Sequence, residues 1–493
     1  MPNVMFIGRM NRLTMPLAAV LFATLGACGS GGGSTAPRPL APTVSAVNGV
    51  PRPTGLVGMT ILIEGANLGD AAGGKILFTP VGGGAAVQAT IANPITDWSS
   101  SFVVTTVPAS ISTDATITVQ TAGGVSNPVP FSLVSSVAFS PNTIVWARTT
   151  DLPMALQGLG AAYVPVSSGG ARSSYVFTVG GADATNTATT LVYRAQPQSS
   201  GAMSAWTAVT ALPQARAYQT TVGATGYTAP LDTATTAGYL FAIGGIDAAG
   251  QTVNTVYSGR IALDGSLTAW QTTTPLPVAM HSASGAVFRG YVYLVGGATA
   301  TNAPLATSYR ARVHADGTLG AWESLAALPV ASGYLALAQF GPYLYAVGGE
   351  TGSVTPVLNI ATGTEASSTY AATINLRDGS LTSAGWTTLS SLSKARSKHS
   401  TVAAGGALLT SSGVYGGSPG SSENSYATLN SDGTVGGWQG ATGTNTIAGV
   451  LGYSLYNEAA LSFADATGKG HVLILGGADR ATAGKASAAV VYY

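Results

Sequence analysis

From about residue 140 to the last residue, the chain repeats one arrangement of apolar and polar positions. A short apolar run ends in a glycine pair, a tyrosine follows, then usually Asp-Gly, then a tryptophan. Tyr175 to Val179 runs into Gly180 and Gly181, and Tyr239 to Ile243 runs into Gly244 and Gly245. The same run precedes Gly296, Gly348, Gly416 and Gly476, which makes six copies. Tyr193, Tyr257, Tyr309, Tyr370, Tyr426 and Tyr492 follow the glycine pairs, and Trp206, Trp270, Trp322, Trp386 and Trp438 follow the first five tyrosines. Short apolar runs bounded by Gly, Ser, Thr and Asp read as strands joined by tight turns.

The sixth copy lacks its tryptophan, and a surplus one, Trp146, stands ahead of the first. An open stack has no reason to begin with the last piece of a unit and to end without it. A closed ring does: the strand around Trp146 then completes the sheet whose other strands come from the C-terminal end, and no sheet edge stays open. Leu-Pro recurs at Leu152, Leu212, Leu276 and Leu328, with Leu392-Ser393 as a degenerate copy, and marks the crossing from one unit to the next. Asp264, Asp316, Asp378 and Asp432 each precede a Gly, as a tight hairpin requires.

This phrase resembles the Kelch family of β-propellers. The glycine pairs are 64, 52, 52, 68 and 60 residues apart, against roughly 50 for a Kelch unit. The resemblance implies a six-bladed ring in which the glycine pair ends the second strand of a blade and the Tyr and Trp lie on the third and fourth.

Ahead of the repeats, residues 42–134 follow another pattern. Thr60 to Glu64 and Thr116 to Gln120 alternate polar and apolar, as half-buried strands do. Gly65-Ala-Asn67-Leu-Gly69 and Gly124-Val-Ser126-Asn127 resemble the turn and closing segment of IPT/TIG immunoglobulin-like sandwiches. The expected fold is therefore all-β: an immunoglobulin-like sandwich over 42–134, a connection over 135–142, and a six-bladed Kelch-type propeller over 143–493. The last blade has no Leu-Pro after Trp438, and its first strand is not marked by any motif.

The first residues add a destination. Arg9 and Arg12 precede an apolar run from Leu17 that is too short to span a bilayer, and the run ends in Leu25-Gly26-Ala27-Cys28. This resembles the lipobox of bacterial lipoproteins, which implies cleavage of residues 1–27, acylation of Cys28 and anchoring to the cell envelope, with no Asp after the Cys to oppose the outer membrane. The alternative is an ordinary signal peptide that contains a Cys. Residues 28–41, rich in Gly, Ser and Pro, read as a tether. Cys28 is the single cysteine, so no disulfide is available to the chain.

Charge narrows the partners. Charged residues are 8% of the chain and the net charge is +1, which falls to about −1 without residues 1–27. No basic block is present to neutralise phosphates, so nucleic acid is excluded as a partner. If Gly-Gly loops and Leu-Pro crossings share one rim, that rim carries Asp183, Asp247, Glu350 and Asp479 from the loops, with Arg216, His281, Lys394, Arg396 and His399 from the crossings. Each has a structural alternative. An Asp after Gly-Gly can cap its own turn, a guanidinium can tie strands through carbonyls, and the two histidines are metal ligands only if the fold joins them. The repeated Tyr and Trp serve packing first, with stacking on sugars as a second role.

Two catalytic precedents among Kelch propellers can be weighed. Copper radical oxidases resembling galactose oxidase need a Cys joined to a copper-ligating Tyr, and the sole Cys here belongs to the lipobox. Six-bladed sialic-acid mutarotases use a few charged channel residues, with no residue-by-residue match in this chain. No G-x-S-x-G motif is present. The expected function is a lipid-anchored binding or scaffolding module with no cofactor and no assigned metal, whose rim holds a glycan or a surface protein. The alternative is a carbohydrate-active enzyme of epimerase, mutarotase or lyase type.

Overall fold

Glycine, serine and threonine interrupt every apolar run, so no segment is long enough for an extended helix and the strands stay short. The computed structural model describes residues 39–50, 53–134, 144–168, 171–225, 236–355, 364–415, 418–419, 423–440, 446–464, 470–479 and 485–492. Cys28, the signal segment, most of the tether and the 135–142 connection lie outside the described residues. So does the Gly416 pair. Among the described residues, no helix is long and apolar enough to cross a membrane.

Six four-stranded antiparallel sheets are present among the described residues. In the second, Thr220–Thr225, Thr236–Ile243, Val256–Ala262 and Leu267–Thr273 lie side by side in sequence order. The others of this kind open with Gly160–Ser168, Ser284–Phe288, Ala336–Phe340 and Ser400–Ala404. The sixth sheet draws on distant parts of the chain, in the order Ala147–Arg148, Val490–Tyr492, Gly470–Leu475, Ala459–Ala464. Ala147 pairs with Tyr492 and Arg148 with Val491, directly beside the surplus Trp146. The opening strands touch in cyclic order, the sixth against the first. The arrangement is β-propeller-like.

One backbone circuit fixes the centre. Two residues ahead of each opening strand stand Gly158, Tyr218, Ser282, Tyr334, Lys398 and Asn457. Each donates its N–H to the carbonyl of the equivalent residue one sheet back, at 2.7 to 3.3 Å, and Gly158 donates to Asn457 to complete the circle. All six are left-handed, with φ between 50° and 56°. A second set of bonds lies outside the first. Gly181, Gly245, Gly297, Gly349, Gly413 and Gly477 donate to the carbonyls of Arg216, Met280, Ser332, Arg396, Leu455 and Leu156.

The glycine pairs are required by this geometry. In the Gly296-Gly297 pair φ is 68° and 100°, and a Cβ on Gly296 would lie 2.4 Å from the Ser332 carbonyl oxygen. In the fifth sheet these conformations belong to Ser412 (φ 62°) and Gly413 (φ 89°), directly after Ala407–Ser411; the Gly416 pair expected there from the sequence lies outside the described residues. The aromatic residues tie sheet to sheet. Trp206, Trp270, Trp322, Trp386 and Trp438 donate their indole N–H to the carbonyls of Thr150, Thr210, Thr274, Ala326 and Ser390, at 2.9 to 3.1 Å. Each acceptor lies two residues before the Leu of a crossing. Tyr175, Tyr239 and Tyr343 donate to carbonyls in the next sheet's Asp-Gly hairpin, at 2.7 to 2.9 Å.

Residues 43–133 form two further sheets. Thr43–Val47, Thr60–Ala66 and Phe102–Thr106 make one; Thr54–Gly55, Val129–Leu133, Ala115–Thr121, Lys75–Pro80 and Val87–Gln88 make the main path of the other. Ile61, Ile63 and Val103 meet Ile76, Phe78, Ile117 and Phe131 between them. Asn67 is left-handed (φ 56°), and Trp98 donates to the Leu68 carbonyl at 2.8 Å. Asn127 holds both the N–H and the carbonyl of Val44 at 2.9 Å. The alternation read for Thr60 to Glu64 stops short at Leu62, which is 1% exposed. Its face is covered by Phe288 and Tyr293 of the third sheet. Glu64 pairs with Arg289 at 2.6 Å, Asp97 with Arg377 at 2.7 Å, and Leu40–Tyr493 is one compact unit.

Ser412 occupies a left-handed position that five other copies give to Gly. Ser412→Gly should stabilise the protein by about 1 kcal/mol, since a side chain there costs roughly 1–2 kcal/mol, less the entropy that Gly adds to the unfolded chain. A rise in the urea midpoint with an unchanged slope is the expected reading; a fall would refute the strain.

Candidate functional site

The backbone circuit sets Gly158 and five side chains around one end of a central channel. The opening strands that follow it enclose a cavity of about 240 Å³, lined by polar positions such as Thr220, Thr221, Ser284, Ser400, Thr401 and Glu458. At the circuit, the rings of Tyr218 and Tyr334 lie nearly perpendicular with centroids 6.2 Å apart, and the Tyr218 hydroxyl donates to Asn186 at 3.0 Å. The Lys398 ammonium lies 4.3 Å from the centre of the Tyr334 ring and forms an ion pair with Glu350. Ser397 donates to the same Glu350 oxygen at 3.1 Å. Tyr218, Tyr334, Lys398 and Glu350 are all buried.

Burial sets the electrostatics. It raises the phenols of Tyr218 and Tyr334 and lowers the Lys398 ammonium, an effect that Glu350 opposes. Glu458 lines the cavity and accepts from Ser400 at 2.5 Å. Its surroundings push its carboxyl up to about 7, against smaller opposing effects from Ser400 and Arg396. His281 is pushed down to about 4 by burial, with Asn302 opposing. His399 is pushed down to about 3 by burial and then by Arg396. Neither His399 ring nitrogen makes a well-formed hydrogen bond, although the Val347 carbonyl favours the protonated ring.

The charged residues singled out in the sequence divide into several kinds. Asp183 and Asp247 close their own loops: Asp183 accepts from the N–H groups of Thr185 and Thr187, and Asp247 from those of Ala249 and Gln251. Arg216, 1% exposed, donates to the Ala215 carbonyl at 2.8 Å and to Thr255 at 2.5 Å, and lies 5.3 Å over the Tyr257 ring. Arg396, also 1% exposed, donates to the carbonyls of Ser412 and Glu423 at 3.1 Å. Both guanidiniums tie strands together inside the sheets. Lys394 pairs on the surface with Glu423 at 2.6 Å.

His281 hydrogen-bonds Ser282 and Asn302 at 2.9 and 3.2 Å. Asp479 is buried in a short strand beside Leu455. Among the described residues, no three His, Cys, Asp or Glu side chains gather as metal ligands. Of the nine rim candidates, Glu350 and His281 reach residues of the circuit, through Lys398 and Ser282, and His399 lines the cavity. Cys28 lies outside the described residues.

Sequence reasoning passed over Tyr218, Tyr334, Lys398, Asn457 and Glu458. A signal was available in the spacing. Gly158, Tyr218, Ser282, Tyr334 and Lys398 each stand six residues after the Leu of a crossing. Gly, Ser and Lys stand at these positions beside the two Tyr, and so no residue-type motif marks them.

No protein-family model matches the sequence, and no curated protein matches it. Among solved structures the chain is similar to that titled "Structure of YjhT", at 14% identity and a TM-score of 0.47, over 69% of this chain and 95% of that one.

Because His281 and His399 are held below the ordinary 6.5, the unfolded chain takes up their protons first. Their contribution to stability is complete above pH 6.5 and is lost as pH falls toward 4 and then 3. Glu458 acts in the opposite sense, favouring the fold below its ordinary 4.5 and losing that advantage as pH rises toward about 7. Gln219 holds the position of His399 in the second sheet and donates to the Val179 carbonyl at 2.6 Å. His399→Gln should therefore fold and lose less stability between pH 6.5 and 4 than the parent. Equal acid losses in urea titrations of the two proteins would refute the assignment.

Proposed function

We propose that this chain is an exported lipoprotein anchored through Cys28 to the cell envelope, with an IPT/TIG-type immunoglobulin-like sandwich over 42–134 and a six-bladed Kelch-type propeller over 143–493. Its propeller acts as a binding or scaffolding module, and its rim takes a glycan or a surface protein. The reading rests on how the rim's charges are used. Arg216 and Arg396 are bonded to backbone carbonyls, Asp183 and Asp247 cap their own loops, and Lys394 is paired with Glu423. A converging acid, base and charge stabiliser is not formed by these residues. Apart from the Lys394–Glu423 pair, most exposed loop and crossing positions among the described residues are neutral, including Ala249, Gln251, Thr301 and Ala303 with Met154, Gln214, Val278 and Val330. A neutral surface of small polar and apolar groups suits a neutral partner.

A carbohydrate-active enzyme is the second reading, and Glu458 favours it. A carboxyl held at about 7 inside a cavity can both donate and accept a proton near neutrality.

The rim reading is tested on a glycan array with the purified protein and the variant Ala249→Arg with Ala303→Arg, which sets two bulky charges on exposed loops. Binding by the parent and its loss in the variant is the expected outcome. An array on which the parent binds nothing ends the glycan reading, and pull-downs for a surface protein then follow. The anchor is tested by metabolic labelling with palmitate in a bacterial host: label is expected on the parent and absent from Cys28→Ser, and equal labelling would overturn the assignment.

A further inference from the structure

The channel wall carries polar groups that the fold leaves unused. Asn457 is 6% exposed and lines the cavity, yet neither its amide oxygen nor its nitrogen has a partner. In the next residue, Glu458, one carboxyl oxygen accepts from Ser400 and the other is unpaired. From the second sheet, the Gln219 amide oxygen and the Thr221 hydroxyl are also unpaired in the same cavity. A buried polar group left without a partner costs about 1–3 kcal/mol. Several lining one solvent-reached cavity describe a site where a ligand that supplies both donors and acceptors can take the place of water.

The neighbouring charges define the class of ligand. Among the described residues that line the cavity, Lys398 is engaged by Glu350 and the Tyr334 ring, and burial keeps His399 uncharged at neutral pH, so neither is free to hold an anion. Burial holds the Glu458 carboxyl at about 7, so a substantial share of it is protonated at neutral pH and most of it below. An amide, a carboxyl and hydroxyls offer alternating donors and acceptors, which adjacent hydroxyls on a single ring can match. The volume of about 240 Å³ falls below that of pockets for drug-sized molecules and suits one such ring.

We propose that the channel binds a small neutral polyhydroxylated molecule of monosaccharide size through Asn457, Glu458, Ser400 and Thr221. This site is distinct from the exposed rim loops, whose positions Ala249 and Ala303 do not line the cavity.

Saturation-transfer NMR and calorimetry on the full chain test the proposal with glucose, galactose and inositol as probes, and citrate as a charged control. At least one polyol should bind and citrate should not. Asn457→Gly should weaken that binding about tenfold or more, and Gly is compatible with the fold because Gly158 holds the same position. Glu458→Gln, which keeps a neutral donor, should change it less than about threefold, whereas Glu458→Ala should weaken it as Asn457→Gly does. The rim variant Ala249→Arg with Ala303→Arg should leave it unchanged, which separates this site from the rim reading. The proposal is overturned if no polyol binds below about 10 mM, if citrate competes, or if Asn457→Gly binds as the parent does.

Discussion

Six backbone hydrogen bonds in a closed circle are the constraint on which the rest of the molecule depends. Each of the six residues accepts a left-handed conformation that costs a non-glycine residue roughly 1–2 kcal/mol, and each receives in return a buried bond on either side. A hydrogen bond in a protein interior is electrostatically stronger than one in water. Because the donors all point the same way around, each sheet is bonded to both neighbours at its innermost point. That sets the start of every opening strand at the same depth, and the second set of bonds from the glycine pairs then follows.

Much of this was legible because the circle makes demands that single residue types meet. Gly296 is visible in the sequence because a Cβ would strike the Ser332 carbonyl on the way to the next sheet, and Gly297 because a Cβ would press on Ala283 and the His281 carbonyl of its own sheet. The tryptophans are visible because their indole N–H bridges sheets, and the surplus Trp146 because the two chain ends share one sheet. What was not legible has an equally physical cause. The circle is made by backbone atoms, so Tyr218, Ser282, Lys398 and Asn457 can differ in every chemical respect. Ser412 meets the glycine requirement without being glycine, which led the sequence reading on to the Gly416 pair. Leu62 was expected to alternate with its neighbours, but the face it stands on is covered by the third sheet.

The candidate site was read less well than the fold because charge was taken as the mark of function. In a chain with only 8% charged residues, many of the charges proved to be structural. Arg216 and Arg396 spend their donors on carbonyls and side chains within the sheets, where a planar fork satisfies more than one acceptor. Lys398 and Glu350 neutralise one another out of solvent, an arrangement in which losing either partner strands the other. The unclaimed hydrogen-bonding capacity lies with an amide, a carboxyl and hydroxyls of the channel, which a search for charge does not find.

The circle also separates what shapes the molecule from what the molecule can recognise. Its bonds involve no side-chain atom, and the positions it fixes already tolerate Gly, Tyr, Ser, Lys and Asn within one chain. The channel lining can therefore be rewritten residue by residue while the architecture stands. Such a scaffold keeps its shape as its ligand changes, so lineages built on it can diverge in what they bind long before they diverge in how they fold.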